Sequence, residues 1–160
     1  MTEKTRASMR RLLADASLEA ARATVLARMA DKAGRPGAAR LLRAMAKAGE
    51  FQARRVLALA RGKLGGLDEE LQNQARRRGV EDEQRLPAWR EEALAEGKAA
   101  EAALFGQLLQ AARNHAAMLV EPDKPEGALH VCQICGYVAL EAPEHCPVCQ
   151  AVPERFEKVE

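Results

Sequence analysis

All four cysteines of this 160-residue chain fall in its last stretch, as two Cys-x-x-Cys pairs: Cys132-Gln133-Ile134-Cys135 and Cys146-Pro147-Val148-Cys149. Two intervening residues let one tight turn aim both sulfurs at a single point. Two such turns facing each other make a tetrahedral cage of four thiolates, a donor set that suits iron or zinc. Gly136, directly after the second cysteine, fits such a knuckle. The turn needs a positive φ there, and a bare N–H can then point at a sulfur. Two disulfides or four unrelated thiols would use the same residues. Paired Cys-x-x-Cys in a chain without a secretion signal reads as a metal site instead.

The surroundings of the cysteines carry a family resemblance. Cys132-x-x-Cys135-Gly136-Tyr137, then Ala142-Pro143-Glu144-His145 leading into Cys146-Pro147-Val148-Cys149, then Pro153-Glu154-Arg155-Phe156, closely resembles the rubredoxin-like tail of rubrerythrins. The resemblance implies one iron held by four thiolates and the transfer of one electron at a time, with zinc possible at the same site. Tyr137 and Phe156 are expected to pack against the site. There are two departures from the family pattern. The gap between the cysteine pairs is slightly short, and Gln150 sits where the second knuckle usually has glycine. A strained backbone and a weaker N–H···S bond are expected at Gln150.

The elements that would position and precede this tail are helical. Apolar residues recur at helical spacing from about Thr5 to Lys32 (Leu12, Ala16, Ala20, Ala23, Leu26, Ala27, Ala30). Gly34-Arg35-Pro36-Gly37 ends that run. A second helix is expected from about Ala38 to Arg61 on Leu41, Met45, Ala48, Val56 and Leu59, closed by Gly62 and Gly65-Gly66. Asp68 could cap a third. Gln72 to Arg85 is almost wholly polar with Gly79 in its middle, and reads as a solvated helix or a partly irregular segment. Pro87 opens or kinks Ala88 to Ala95, and a fourth helix is expected over about Lys98–Leu119. Residues 122–127 form a polar, proline-rich linker. The expected organisation is therefore a four-helix bundle over 1–121, a linker over 122–127 and a small cysteine-bound domain over 128–160.

The helical part also resembles the ferritin-like domain of rubrerythrins, more weakly. Leu86-Pro87-Ala88-Trp89 followed by Gly97, Phe105 and His115 carries the likeness. In the family, glutamates and Glu-x-x-His pairs hold two irons. Laid onto this chain, the seven ligand positions fall on Glu19, Gln52, Arg55, Arg78, Glu81, Ala112 and His115. Only Glu19, Glu81 and His115 keep usable donors. Arginine accepts no coordinate bond and repels cations, so a normal di-iron centre is not expected. An arginine–glutamate cluster of Arg55 and Arg78 with Glu19 and Glu81, joined by His115, is expected in its place.

Composition bounds the rest. Charged residues make up 30% and aromatics 3%, as in long helices. The tail, 128–160, holds five acids (Glu141, Glu144, Glu154, Glu157, Glu160) and two bases (Arg155, Lys158), a formal −3, which leaves +5 on the remainder. The two parts should attract, within or between subunits. The N-terminus runs into a charged helix and no apolar run approaches a membrane span, so a cytoplasmic protein without membrane contact is expected. The basic clusters Arg10-Arg11, Arg54-Arg55 and Arg76-Arg77-Arg78 are scattered and lack interleaved aromatics, and read as solvated helix faces rather than a nucleic-acid surface. The expected function is iron-based electron transfer by a homodimer with a redox partner protein. An active peroxidase with a remodelled site and a zinc-ribbon adaptor are the alternatives.

Overall fold

The computed structural model describes residues 1–61 and 65–160. The expected stop at Gly62 lies outside the described residues. The helices are α1 (Glu3–Lys32), α2 (Pro36–Arg61), α3 (Leu67–Arg76), α4 (Asp82–Ala95) and α5 (Ala99–Val120), with strands β1 (Leu129–Cys132), β2 (Val138–Ala139) and β3 (Phe156–Val159). The expected order of four long helical stretches and a small cysteine-bearing sheet is present. The chain divides into two compact units, Met1–Leu64 and Gly65–Glu160.

In the first unit, α1 and α2 form a helical pair. Thr2 caps α1, its hydroxyl accepting from the N–H of Thr5. Gly34, at φ 67, turns the chain, and α2 begins at Pro36, where a fixed φ suits a first helical position. The buried seam of α1 is all alanine: Ala16, Ala20, Ala23, Ala27 and Ala30. Small residues let the backbones approach closely. A Cβ on Gly49 of α2 would lie 3.0 Å from the Cβ of Ala20, so any side chain there would press the two helices apart by a few tenths of an ångström. This changes the expected inward faces. Leu12, Leu26, Leu41, Met45, Ala48 and Leu59 are exposed, while Ala39, Ala46, Gly49 and Val56 are buried on α2. The close seam holds small side chains, and the larger ones stand on its flanks.

In the second unit, the polar stretch is helical throughout. Its helix begins at Leu67 with Gly66 as N-cap, two residues earlier than an Asp68 cap would give. Arg77–Glu81 is a π-helical turn joining α3 to α4, and Pro87 lies inside α4 without ending it. Such a turn inserts a residue and rotates the helix beyond it. α4 packs along α5, with the rings of Trp89 and Phe105 tilted at 5.9 Å. Arg113 on α5 forks onto the Glu83 carboxylate, with Nη2 to Oε2 at 2.9 Å. The sheet has the order β2–β1–β3, antiparallel throughout, with His130 opposite Ala139 and Cys132 opposite Phe156.

Candidate metal centre

The two cysteine pairs sit on matching knuckles. In the first, the Gly136 N–H donates to the Cys132 carbonyl at 2.9 Å, and the Cys132 N–H to the Tyr137 carbonyl at 2.8 Å. In the second, the Gln150 N–H donates to the Cys146 carbonyl at 2.9 Å, and the Cys146 N–H to the Ala151 carbonyl at 2.8 Å. Gly136 has φ 77, as the knuckle requires, and Gln150 has φ 61. The departure from glycine therefore leaves a bulky residue in left-handed backbone, at a cost of order 1–2 kcal/mol.

The four sulfurs lie within 4.8 Å of one another. Cys132 and Cys149 are 3.6 Å apart at sulfur, Cys135 and Cys146 3.5 Å. Those separations are too long for an S–S bond of about 2.05 Å, which removes the disulfide reading. They suit four thiolates around one ion. Cys132, Cys135 and Cys146 are buried. Tyr137, Val148, Ala151 and Phe156, themselves partly buried, pack against them.

Burial pushes the Cys135 thiol up, against the N–H of Tyr137, and burial likewise raises Cys149 against the N–H of Ala151. At Cys132 burial also acts upward. The N–H groups of Cys135 and Ile134, with the neighbouring thiols of Cys149 and Cys135, outweigh it and bring that thiol down to about 7. Backbone N–H groups aimed at sulfur favour the thiolate form, which is the form a metal takes. The donor set and its spacing fit one tetrahedrally held iron or zinc.

Residues 130–157 match the family model for the rubredoxin-like domain of rubrerythrin. The tail is therefore similar to the rubredoxin-like domain of rubrerythrin. Similar solved structures are those of nigerythrin. The mixed-valent state has 26% identity and a TM-score of 0.54, covering 97% of this chain and 86% of nigerythrin. The partially reduced state gives 25% and 0.55 over the same spans, and the fully reduced, all-ferrous state 25% and 0.53. No curated protein matches the chain.

The rubrerythrin-type di-iron positions divide between the units. In the first, Glu19, Gln52 and Arg55 are all exposed. Glu19 pairs with Arg22 on its own helix at 2.8 Å. In the second, Ala112 is buried, Glu81 is exposed and His115 is half-buried. The Nε2 of His115 lies 2.8 Å from the carbonyl oxygen of Gly136.

Of the residues expected in the arginine–glutamate cluster, Arg55 and Glu81 are exposed. Arg78 pairs not with Glu81 but with Asp82, at 3.4 Å, and Arg85 meets the same carboxylate at 2.5 Å. Asp82 is 2% exposed and is the buried acid of the described residues. The π turn ends at Glu81 and carries the next residue inward, which helical spacing alone does not show. An acid flanked by arginines at i−4 and i+3 was the available signal. Within each unit, the four cysteines are the one group of three or more clustered metal-ligating side chains among the described residues.

Proposed function

We propose that this protein is an electron-transfer protein using one iron in its Cys132–Cys135–Cys146–Cys149 site. The observation that carries the reading is the cage of four free, mostly buried sulfurs on two matching knuckles. Iron in such a site would cycle between ferrous and ferric. The chain's part is to hold four thiolates at fixed separation, so that little rearrangement accompanies the change of charge. It also supplies N–H groups that offset the added negative charge, and it packs Tyr137 and Phe156 against the sulfurs. Nigerythrin's occurrence in mixed-valent and all-ferrous states favours iron over zinc. A redox partner protein would exchange the electron.

In this reading the helical part does not hold a paired-iron centre. Arg55, Arg78 and Ala112 stand at three ligand positions, and Arg78 is engaged by Asp82. These residues do not fit two irons, which need several carboxylates each.

The test is elemental analysis and visible spectroscopy of protein made without added metal. One iron per chain, with absorption bleached by dithionite, and no turnover of hydrogen peroxide is the expected result. Stoichiometric zinc with no visible absorption would overturn the redox reading. Peroxide turnover would overturn the loss of the second centre.

A further inference from the structure

The first knuckle is held from outside as well as from within. Its Gly136 carbonyl oxygen lies 2.8 Å from Nε2 of His115 on α5. A carbonyl can only accept, so Nε2 carries a proton and donates it. The same peptide group has a second end. Its N–H belongs to Tyr137 and faces the Cys135 sulfur, where it opposes the effect of burial on that thiol. One peptide unit thus stands between an imidazole N–H and a metal-binding sulfur.

The second knuckle lacks this arrangement. There the Ala151 N–H faces the Cys149 sulfur in the equivalent place. Among the described residues, no side chain meets the Gln150 carbonyl at the other end of that peptide.

Hydrogen bonds in a chain polarise one another. A donor on the carbonyl draws density from the peptide nitrogen and makes its N–H a stronger donor, by roughly 10–30% per bond. An N–H on a thiolate sulfur stabilises the more negative state of the centre, which for iron in four thiolates is the reduced one.

We propose that His115 is a positioning residue for the redox centre. Through the Gly136–Tyr137 peptide it strengthens the hydrogen bond on the Cys135 sulfur, and so raises the reduction potential of iron in the site. α5 thereby sets a property of the tail that the tail's own residues do not fix. The inference rests on the iron reading above, but the hydrogen bond it invokes is the same whichever metal is bound. Asn114 separates polarising from docking. Its Oδ1 accepts from the Val138 N–H at 2.9 Å, so it also ties α5 to the tail, but the N–H it holds is spent on Asn114 and not on a sulfur.

The experiment uses the full chain in two metal forms. Iron-loaded protein is titrated with redox mediators, and cadmium-loaded protein is read by proton NMR. His115→Phe keeps a ring and removes the donor, with His115→Leu in its place if the phenyl ring impairs metal uptake. His115→Gln keeps an N–H at the end of the side chain. In the iron form His115→Phe should shift the equilibrium about threefold toward ferric, a fall of about 28 mV at about 59 mV per tenfold for one electron. His115→Gln should recover most of that, and Asn114→Ala should move the potential much less. In the cadmium form of His115→Phe the Tyr137 amide proton should move upfield while that of Ala151 stays in place. A potential unchanged by loss of the donor would overturn the proposal, as would a Tyr137 amide that does not move. An equal fall in Asn114→Ala would also overturn it, by assigning the effect to loosened docking. Zinc in the purified wild type, with the Tyr137 shift still seen in the cadmium form, would sink the iron reading and uphold the relay from His115.

Discussion

His115 Nε2 donates to the Gly136 carbonyl at 2.8 Å, so a helix side chain grips the first cysteine knuckle. The residue before it does the same one step along. Asn114 Oδ1 accepts from the Val138 N–H at 2.9 Å. Two consecutive residues of α5 thus hold the backbone on either side of Tyr137, which itself packs on the cysteines. A histidine that family likeness marks as an iron ligand here spends a ring nitrogen on the tail.

Asn114→Ala should loosen this docking without emptying the metal site. The Val138 N–H would lose its acceptor in a partly buried place, a loss of about 1–3 kcal/mol. Amide exchange at Val138 and Ala139 should accelerate, with iron content unchanged. Unaltered exchange there would show that the hydrogen bond does not hold the tail.

The knuckles give opposite responses to glycine. Gln150 has φ 61, so Gln150→Gly should stabilise the tail by roughly 1 kcal/mol as backbone strain is released. Gly136→Ala, at φ 77, should destabilise it by about 1–2 kcal/mol. Thermal melts followed through the metal absorption should move in opposite directions for the two variants.

Cys146→Ser should abolish stoichiometric metal and unfold the small sheet. Cys146 is fully buried, and the site's apolar cluster is little more than the cysteines and their neighbours. So small a core is not expected to stand alone, and metal binding should supply most of its folding energy. Residues 129–159 should lose exchange protection while helical circular dichroism persists. Full metal with a protected sheet would contradict this.

The tail was legible because its information is local. Cysteine spacing, Gly136 and the aromatic pair Tyr137 and Phe156 lie within a few residues of the structure they make. The helices were legible as helices, but their faces were not. In α1 the expected stripe mixed leucine with alanine, and periodicity cannot say that Ala20 opposite Gly49 is the seam while Leu12 and Leu26 stand aside. That choice depends on how closely two backbones approach, which is a property of the pair. Asp82 was missed for a different reason. The family resemblance marks Glu81, and the π turn at Arg77–Glu81, which nothing in the local sequence announces, leaves its neighbour Asp82 as the buried acid.

The link between α4 and α5 should be sensitive to acid. The Arg113 hydrogen bond, with its charge, holds the Glu83 carboxyl below its ordinary range against a smaller effect of burial. A carboxylate whose folded pKa is depressed stabilises the fold above its unfolded value, and that contribution fades as pH falls through the folded value. Glu83 is solvent-accessible, so the effect should be small and screened by salt. In an NMR titration Glu83 should titrate lower in the wild type than in Arg113→Ala. Equal titration in the two proteins would show that the pair carries no charge coupling.

Asp82 should matter more to the second unit than any other single acid. Its carboxylate is 2% exposed, so it folds only if its charge is met. Arg85 supplies most of that, with Nε at 2.8 Å and Nη2 at 2.5 Å from the same oxygen, while its guanidinium lies 5.3 Å over the Trp89 ring. Arg78 reaches the other oxygen at 3.4 Å, the weaker partner. Both guanidiniums are about half exposed, so breaking the cluster should cost less than the 3–5 kcal/mol of a fully buried pair. Arg85→Ala should destabilise the protein by roughly 2 kcal/mol, and Arg78→Ala by clearly less. Asp82→Asn keeps the shape and removes the charge, and should fall near Arg85→Ala. Glu81→Gln, on the neighbouring exposed position, should be close to neutral. Chemical denaturation of the four variants ranks them, and a Glu81 variant as damaging as the Asp82 one would reverse the assignment.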